Sequence, residues 1–221
     1  MLRKPKSNAK SLENRKPQLR ALRTRKQLID AARRVFARDG FELARLADIS
    51  ATAGKTRGAF YDHFKNKEDV FFAIMEEDLL HYFRWVSEEF RDARTTEDRI
   101  DALSRHLFRV LEDRRRMMLF LEFKIYAIRH PRRTRRLAEI QSEMCLRGIE
   151  TILEPRMPEL RSRTPGIRRM HNVRLGAILD GLFINRLFNA ASLNHDQTMQ
   201  FIRFTVRAML QQGPPPVNHR I

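Results

Sequence analysis

The chain has 221 residues, with 44 Lys or Arg against 27 Asp or Glu, a formal net charge of +17. Its 42% apolar content is enough for a sizeable core, which excludes disorder of the whole chain, while the charge surplus calls for an anionic partner. A single cysteine, Cys145, excludes an internal disulfide framework and a multi-cysteine zinc site and fits a reducing compartment.

Residues 1–20 hold two prolines and scattered Lys and Arg without apolar periodicity, so they are read as a disordered basic arm. Counting to Lys26 gives ten basic residues and one acid, +9 of the +17. Beyond the arm no proline occurs until Pro131, and 24 leucines outnumber 7 valines, which points to an all-α fold. The periodicity predicts about nine helices, over 22–39, 46–53, 57–63, 67–90, 97–113, 115–129, 132–154, 167–190 and 196–211. The first places Leu28, Ala32, Val35 and Phe36 at helical spacing and ends at Gly40, a C-terminal cap. Asn66, followed by Glu68 and Asp69, caps the start of the fourth. The interval 154–166, with three prolines, reads as an interhelical loop. The longest unbroken apolar run is the six residues 70–75, far too short to span a bilayer, and no signal peptide is evident, so a soluble cytoplasmic protein without membrane contact is expected.

The interval 46–64 holds two short apolar-patterned segments around Ala53-Gly54-Lys55-Thr56. Gly54 can take the left-handed conformation of a sharp interhelical turn, and Thr56 can cap the helix that follows. This is a helix-turn-helix spacing. Phe60 and Phe64, four apart, point inward, which leaves Arg57, Gly58, Tyr61 and His63 toward the opposite side or its margins. The small residues Gly58 and Ala59 let the backbone approach a groove floor while Thr56 and Arg57 reach bases or phosphates. Gly54-Lys55-Thr56 also matches the end of a phosphate-binding loop, but Ile49 stands where that motif needs glycine.

Residues 24–72 resemble the DNA-binding domain of the TetR family of transcriptional regulators. The resemblance rests on Val35-Phe36 and Gly40-Phe41, on Ile49 with Ala53-Gly54, on Gly58-Ala59-Phe60-Tyr61-Asp62-His63-Phe64, and on Asn66-Lys67-Glu68-Asp69. It implies that Thr56, Arg57, Gly58 and Ala59 meet the major groove and that Tyr61, His63 and Lys67 hold phosphates. The chain departs from the pattern in two places. Ala44-Arg45 stands where helix two usually opens on paired hydroxyl residues, so Arg45 replaces that contact with charge. Lys55-Thr56 in the turn adds a cation near the DNA face.

The helix over 167–190 carries two apolar stripes, Leu175, Ile178, Leu179, Leu182 and Leu187 on one, Val173, Ala177, Gly181, Ile184 and Phe188 on the other. A helix apolar on two faces is covered twice. With the helix over 196–211, it is read as a homodimer interface formed by Ala177, Ile178, Gly181, Leu182, Ile184, Phe188, Ile202 and Val206. The resemblance through 177–182 supports the dimer, and two core helices of a monomer are the alternative. The resemblance also implies a small-molecule effector pocket within 67–154, for which Trp85, Phe108, Met118, Phe123, Tyr126 and Met144, with Met117 and Phe120, offer adaptable apolar surface. Arg129, Arg132, Arg133, Arg135 and Arg136, with 114–116, form a second basic concentration, a solvated helix end or an attractor for an anionic effector.

The domains expected are the arm (1–20), a helix-turn-helix domain (21–66), an effector-binding and dimerisation domain (67–212) and a flexible tail (213–221). No catalytic constellation, metal-binding His pair or cofactor motif is present, so neither an enzyme nor a cofactor is expected. The function expected is that of a sequence-specific DNA-binding regulator, a repressor released from a palindromic operator by a hydrophobic or amphipathic effector. An activator or architectural protein of the same fold is the nearer alternative, and a helical small-molecule binder or enzyme the more distant one.

Overall fold

The computed structural model describes residues 8–161, 165–189, 191 and 193–211, and all regular structure among them is helical. The chain divides into two compact units, Met1–Met75 and Glu76–Ile221. The division falls later than position 66, where the sequence places it. The reason is that Val70, Phe71, Ile74 and Met75, from the first turns of the fourth helix, are buried in the first core.

In the first unit, α1 (Asn8–Leu43) supplies Leu28, Ile29, Ala32, Val35 and Phe36 to the core. The arm expected to lack regular structure is helical from Asn8 onward, with Pro17 inside it. Lys, Arg, Gln, Leu and Ala favour helix, and a helix already nucleated by a packed segment gains a hydrogen bond for each residue added. Residues 1–7 lie outside the described residues. Gly40 interrupts α1 at the expected end with φ 76 and ψ 162, an extended positive-φ conformation open essentially to glycine rather than the αL of a helix cap, and lets Phe41 turn back onto Phe36, ring centroids 5.1 Å apart. Then follow α2 (Leu46–Thr52), α3 (Arg57–Tyr61) and the first turns of α4 (Lys67–Glu89). Asn66 caps α4, its Oδ1 accepting from the Asp69 amide at 2.8 Å, while Asp69 accepts from the Lys65 amide at 3.0 Å. Phe71 meets Phe41 edge-on at 5.5 Å and so ties α4 to the end of α1.

The second unit holds the rest of α4, α5 (Thr96–Glu112), α6 (Arg114–Arg129), α7 (Pro131–Gly148), a π-helical continuation (Ile149–Leu153), α8 (Pro158–Arg161), α9 (Pro165–Phe188) and α10 (His195–Gln211). Its central element is α5, which packs on α6, α9 and α10 and buries Ile100, Leu103, Leu107, Phe108, Val110 and Leu111. A reciprocal cap starts it, Thr95 Oγ1 accepting from the Asp98 amide and Asp98 accepting from the Thr95 amide. Inside the stretch expected as loop, α8 forms a single turn, and Glu159 accepts from Arg99 at 2.5 Å and from Thr96 Oγ1 at 2.8 Å. The tail expected over 213–221 lies outside the described residues. No helix among the described residues is long and apolar enough to cross a membrane.

Candidate functional site

The turn between α2 and α3 is set by Gly54, whose φ of 63 is open to glycine with little strain, and by the Lys55 amide donating to Ser50 O at 2.9 Å. Thr56 caps α3 as expected, its Oγ1 accepting from the Ala59 amide at 3.1 Å. Phe60 and Phe64 are buried with their rings 5.6 Å apart, and this fixes which side of α3 faces out. Thr56, Arg57, Gly58 and Tyr61 are exposed, Tyr61 by half its surface, and Lys55, Ala59 and His63 lie at the margins. Arg45 stands at the N-cap of α2 with an exposed side chain and makes no side-chain cap bond.

Two of these residues are informative beyond exposure. A Cβ at Gly58 would meet only Thr56 Oγ1, at an ordinary 3.7 Å, so the fold does not require glycine there, although glycine in a helix costs about 1 kcal/mol relative to alanine. Lys67, by contrast, is engaged within the fold. Its ammonium donates to Phe41 O at 2.9 Å and Glu42 O at 2.6 Å and lies 4.9 Å from the Phe41 ring centroid, holding the end of α1.

The second unit contains a cavity of about 480 Å³ between α4, α5, α6, α7 and α9. Its apolar lining includes Leu79, Val86, Leu103, Leu107, Met117 and Phe120, and its polar lining His106, Arg116, Lys124, Gln141, Ser142, Asn172 and Asp180. Of the residues expected there, Trp85, Phe108, Met118, Phe123, Tyr126 and Met144 do not line it, whereas Met117 and Phe120 do. The helical repeat explains the difference: Met117, Phe120 and Lys124 share one face of α6, and Met118, Phe123 and Tyr126 lie on others. Phe108 packs instead against His195, ring centroids 4.5 Å apart, and Trp85 lies beneath the Arg109 guanidinium. None of Arg129, Arg132, Arg133, Arg135 and Arg136 lines the cavity; all are exposed.

The cavity's charges are matched. Lys124 pairs with Asp180, and Arg116 lies 3.8 Å from Asp78 while covering the rings of Tyr82 and Phe120. Two lining residues each carry an enclosed polar atom, His106 Nδ1 and Ser142 Oγ, with no hydrogen-bond partner among the described residues. Leaving such an atom buried and unsatisfied costs about 1–3 kcal/mol. His106 was legible in the sequence as a lone polar residue on the face of α5 shared by Leu103, Leu107 and Val110. No local pattern sets Ser142 apart.

The helical face expected to pair with a second copy divides in two. Leu182, Ile202 and Val206 are buried in the core of their own subunit, and Ile178 packs against that core. Thr198, Ile202 and Val206 form the inner face of α10 at four-residue spacing, which faces α5. Ala177 lines the cavity, and nothing lies within 4 Å of a Cβ built at Gly181. What remains outside is Ile184, Leu187 and Phe188 on α9 with Phe201 and Phe204 on α10. Phe188 is 90% and Phe204 69% exposed.

Residues 28–74 match the family profile of bacterial regulatory proteins, tetR family. Over 88 residues, 38% of the chain and 46% of the relative, the sequence is 35% identical to the HTH-type transcriptional repressor AcnR of Corynebacterium diphtheriae. It is 36% identical over 127 residues to the HTH-type transcriptional regulator TtgR of Pseudomonas putida, covering 57% of this chain and 52% of that protein. The chain thus spans about half the length of these curated relatives. In fold it is similar to FadR of Bacillus subtilis in complex with stearoyl-CoA, at a TM-score of 0.53 and 17% identity over 84% of this chain and 97% of that one.

Burial pushes the His106 imidazole down to about 4, with Arg116 adding to the effect and Glu89 opposing it. An unfolded chain's histidine titrates near 6.5. Between those values the unfolded chain takes up a proton that the folded one excludes, so stability is complete above about pH 6.5 and falls by roughly 3 kcal/mol as the pH drops to about 4. Urea unfolding at pH 7.5 and pH 5 should show about 2 kcal/mol of this loss in the natural protein and much less in His106→Leu; equal losses would contradict it.

Proposed function

Because the chain belongs to the tetR family of bacterial regulatory proteins, a family of DNA-binding transcriptional regulators, we propose that it is an effector-released repressor acting as a homodimer on a palindromic operator. The observation that carries the DNA-reading part is the outer face of α3, where Gly58 is bare without any packing reason and stands among exposed Thr56, Arg57 and Tyr61. Glycine and alanine at 58 and 59 bring the backbone close to the groove floor, Thr56 and Arg57 reach base edges, and Tyr61, His63, Lys55 and Arg45 hold phosphates on either side. Lys67 fixes the end of α1 and contributes charge behind that line. A reader this small needs duplication, and a palindrome presents successive major grooves roughly 34–36 Å apart to the two α3 helices.

Duplication comes from the exposed apolar residues of α9 and α10, which a second copy covers. The cavity of the second unit is the effector site, its volume and apolar lining suiting a small hydrophobic or amphipathic molecule. An effector that binds better to a state with a different α3 spacing lowers operator affinity by its differential binding energy, and operator lowers effector affinity by the same factor. The basic segment ahead of the helix-turn-helix adds sequence-independent attraction to phosphate.

Selection of bound DNA from a random pool by the purified protein should return a palindrome, and failure to enrich any motif would remove the proposal. In gel-shift titrations against that sequence, Tyr61→Ala should lose about 1.5–3 kcal/mol of affinity. Gly58→Ala should lose affinity while unfolding no more easily than the natural protein.

Paired substitutions Phe188→Glu and Phe204→Glu should convert the dimer to a helical monomer in light scattering with size exclusion. Val206→Glu, buried in the core, should instead lose helicity. A pair of glutamates that leaves the dimer intact would place the interface elsewhere. Deletion of residues 1–19 should lower operator affinity and flatten its dependence on salt, by about 0.9 in logarithmic slope for each phosphate the segment neutralises. An unaltered slope would show that it neutralises none.

A further inference from the structure

We propose that the cavity selects an uncharged apolar molecule bearing one hydroxyl or carbonyl group, held by hydrogen bonds from His106 and Ser142. The proposal rests on the reading of the cavity as the effector site and names the chemistry that the site takes.

The first argument is the charge already present. Lys124 and Asp180 satisfy each other across α6 and α9, and Arg116 faces Asp78 while lying over two aromatic rings. An anionic or cationic ligand head would have to take one member of such a pair and leave the other part-buried without its counterpart, a penalty that offsets its own attraction. A neutral ligand leaves both pairs intact.

The second argument is the unused hydrogen-bonding capacity. His106 is 7% exposed and lines the cavity from α5, yet its enclosed Nδ1 has no partner among the described residues, and the enclosed Oγ of Ser142, which lines the cavity from α7, has none either. A neutral imidazole offers a donor or an acceptor according to its tautomer, and a hydroxyl offers both. Burial keeps His106 uncharged at neutral pH, so it presents a hydrogen bond and not a cation. Around these atoms the wall is aliphatic and aromatic, which suits an apolar body.

The third argument concerns the space. Gly176 shares a face of α9 with Asn172, Leu179 and Asp180, and a Cβ there would meet nothing within 4 Å. Glycine in mid-helix is unfavourable, and here its absent side chain leaves room in the cavity rather than allowing a neighbouring helix to approach.

Three probes with one alkyl body and different heads test this on the full chain: 1-decanol, decanoate and decylammonium, titrated calorimetrically below their aggregation thresholds. Decanol should bind at least tenfold more tightly than either ion. His106→Leu and Ser142→Ala should each weaken decanol about five- to tenfold, and Gly176→Leu should abolish binding of all three by filling the space. If decanoate or decylammonium binds as tightly as decanol, or if neither His106→Leu nor Ser142→Ala weakens decanol, the neutral-ligand assignment is overturned while the cavity stands as a binding site. If no probe binds, or Gly176→Leu binds decanol like the natural protein, the cavity itself is not the effector site. His106→Leu removes an unsatisfied polar atom and should fold; should it not, the ranking of heads and Ser142→Ala decide the matter.

Discussion

A helix of five residues cannot hold itself together in water, because it fixes most of its backbone before it gains more than one or two internal hydrogen bonds. The outer face of α3 therefore exists only because Phe60 and Phe64 are buried beneath it and Thr56 closes its first turn. Those two rings determine which residues point outward as firmly as they determine which point in. The aromatic cluster below, Phe36, Phe41 and Phe71, anchors the same unit to the first turns of α4, and Lys67 closes the end of α1 over it. Of the residues that meet DNA in our reading, Arg57, Gly58 and Tyr61 lie outside this core, whereas Thr56 and Lys67 also hold the fold.

The second unit follows a different logic. Its centre, α5, buries a broad apolar face and keeps Arg105 and Arg109 outside, and His106, a polar residue within that buried face, lines the cavity. A core built for stability alone would have filled that space or satisfied that nitrogen. Here three departures coincide among the described residues: a buried imidazole nitrogen and a buried hydroxyl without hydrogen-bond partners, and a mid-helix glycine with open space before it. Each lowers stability somewhat, and each makes sense as accommodation of a molecule that completes the packing. The cations that reach this space, Arg116 and Lys124, each lie beside a carboxylate, Asp78 and Asp180. The surplus lies on the exposed arginines, in the segment before the helix-turn-helix and around α3.

The exposed rings of α9 and α10 show why apolar patterning needs a structure to interpret it. Both helices carry apolar residues on two faces, and the sequence reading places Ile202, and not Phe204, at the interface. Packing against α5 separates them, Ile202 being 2% and Phe204 69% exposed. The residues proposed to meet a second copy are thus those the subunit's own core leaves over.

From the sequence alone, the helical class, the positions of most helices, the turn at Gly54, the break at Gly40, the caps at Thr56 and Asn66, and the outward face of α3 were legible. All of these are local, set by 3.6-residue periodicity, by backbone preferences of glycine and by side chains that cap their own helix. The helical course of residues 8–20 was not, since residues without an apolar stripe carry no periodic signal when a neighbouring helix extends through them. Nor were the lining of the cavity and the interface residues, because Met117 and Met118, or Ile202 and Phe204, differ only in which helix arrives opposite them. That is decided by long-range packing, which joins α5 to α9 and α10 across nearly a hundred residues of chain and leaves no mark in the local spacing.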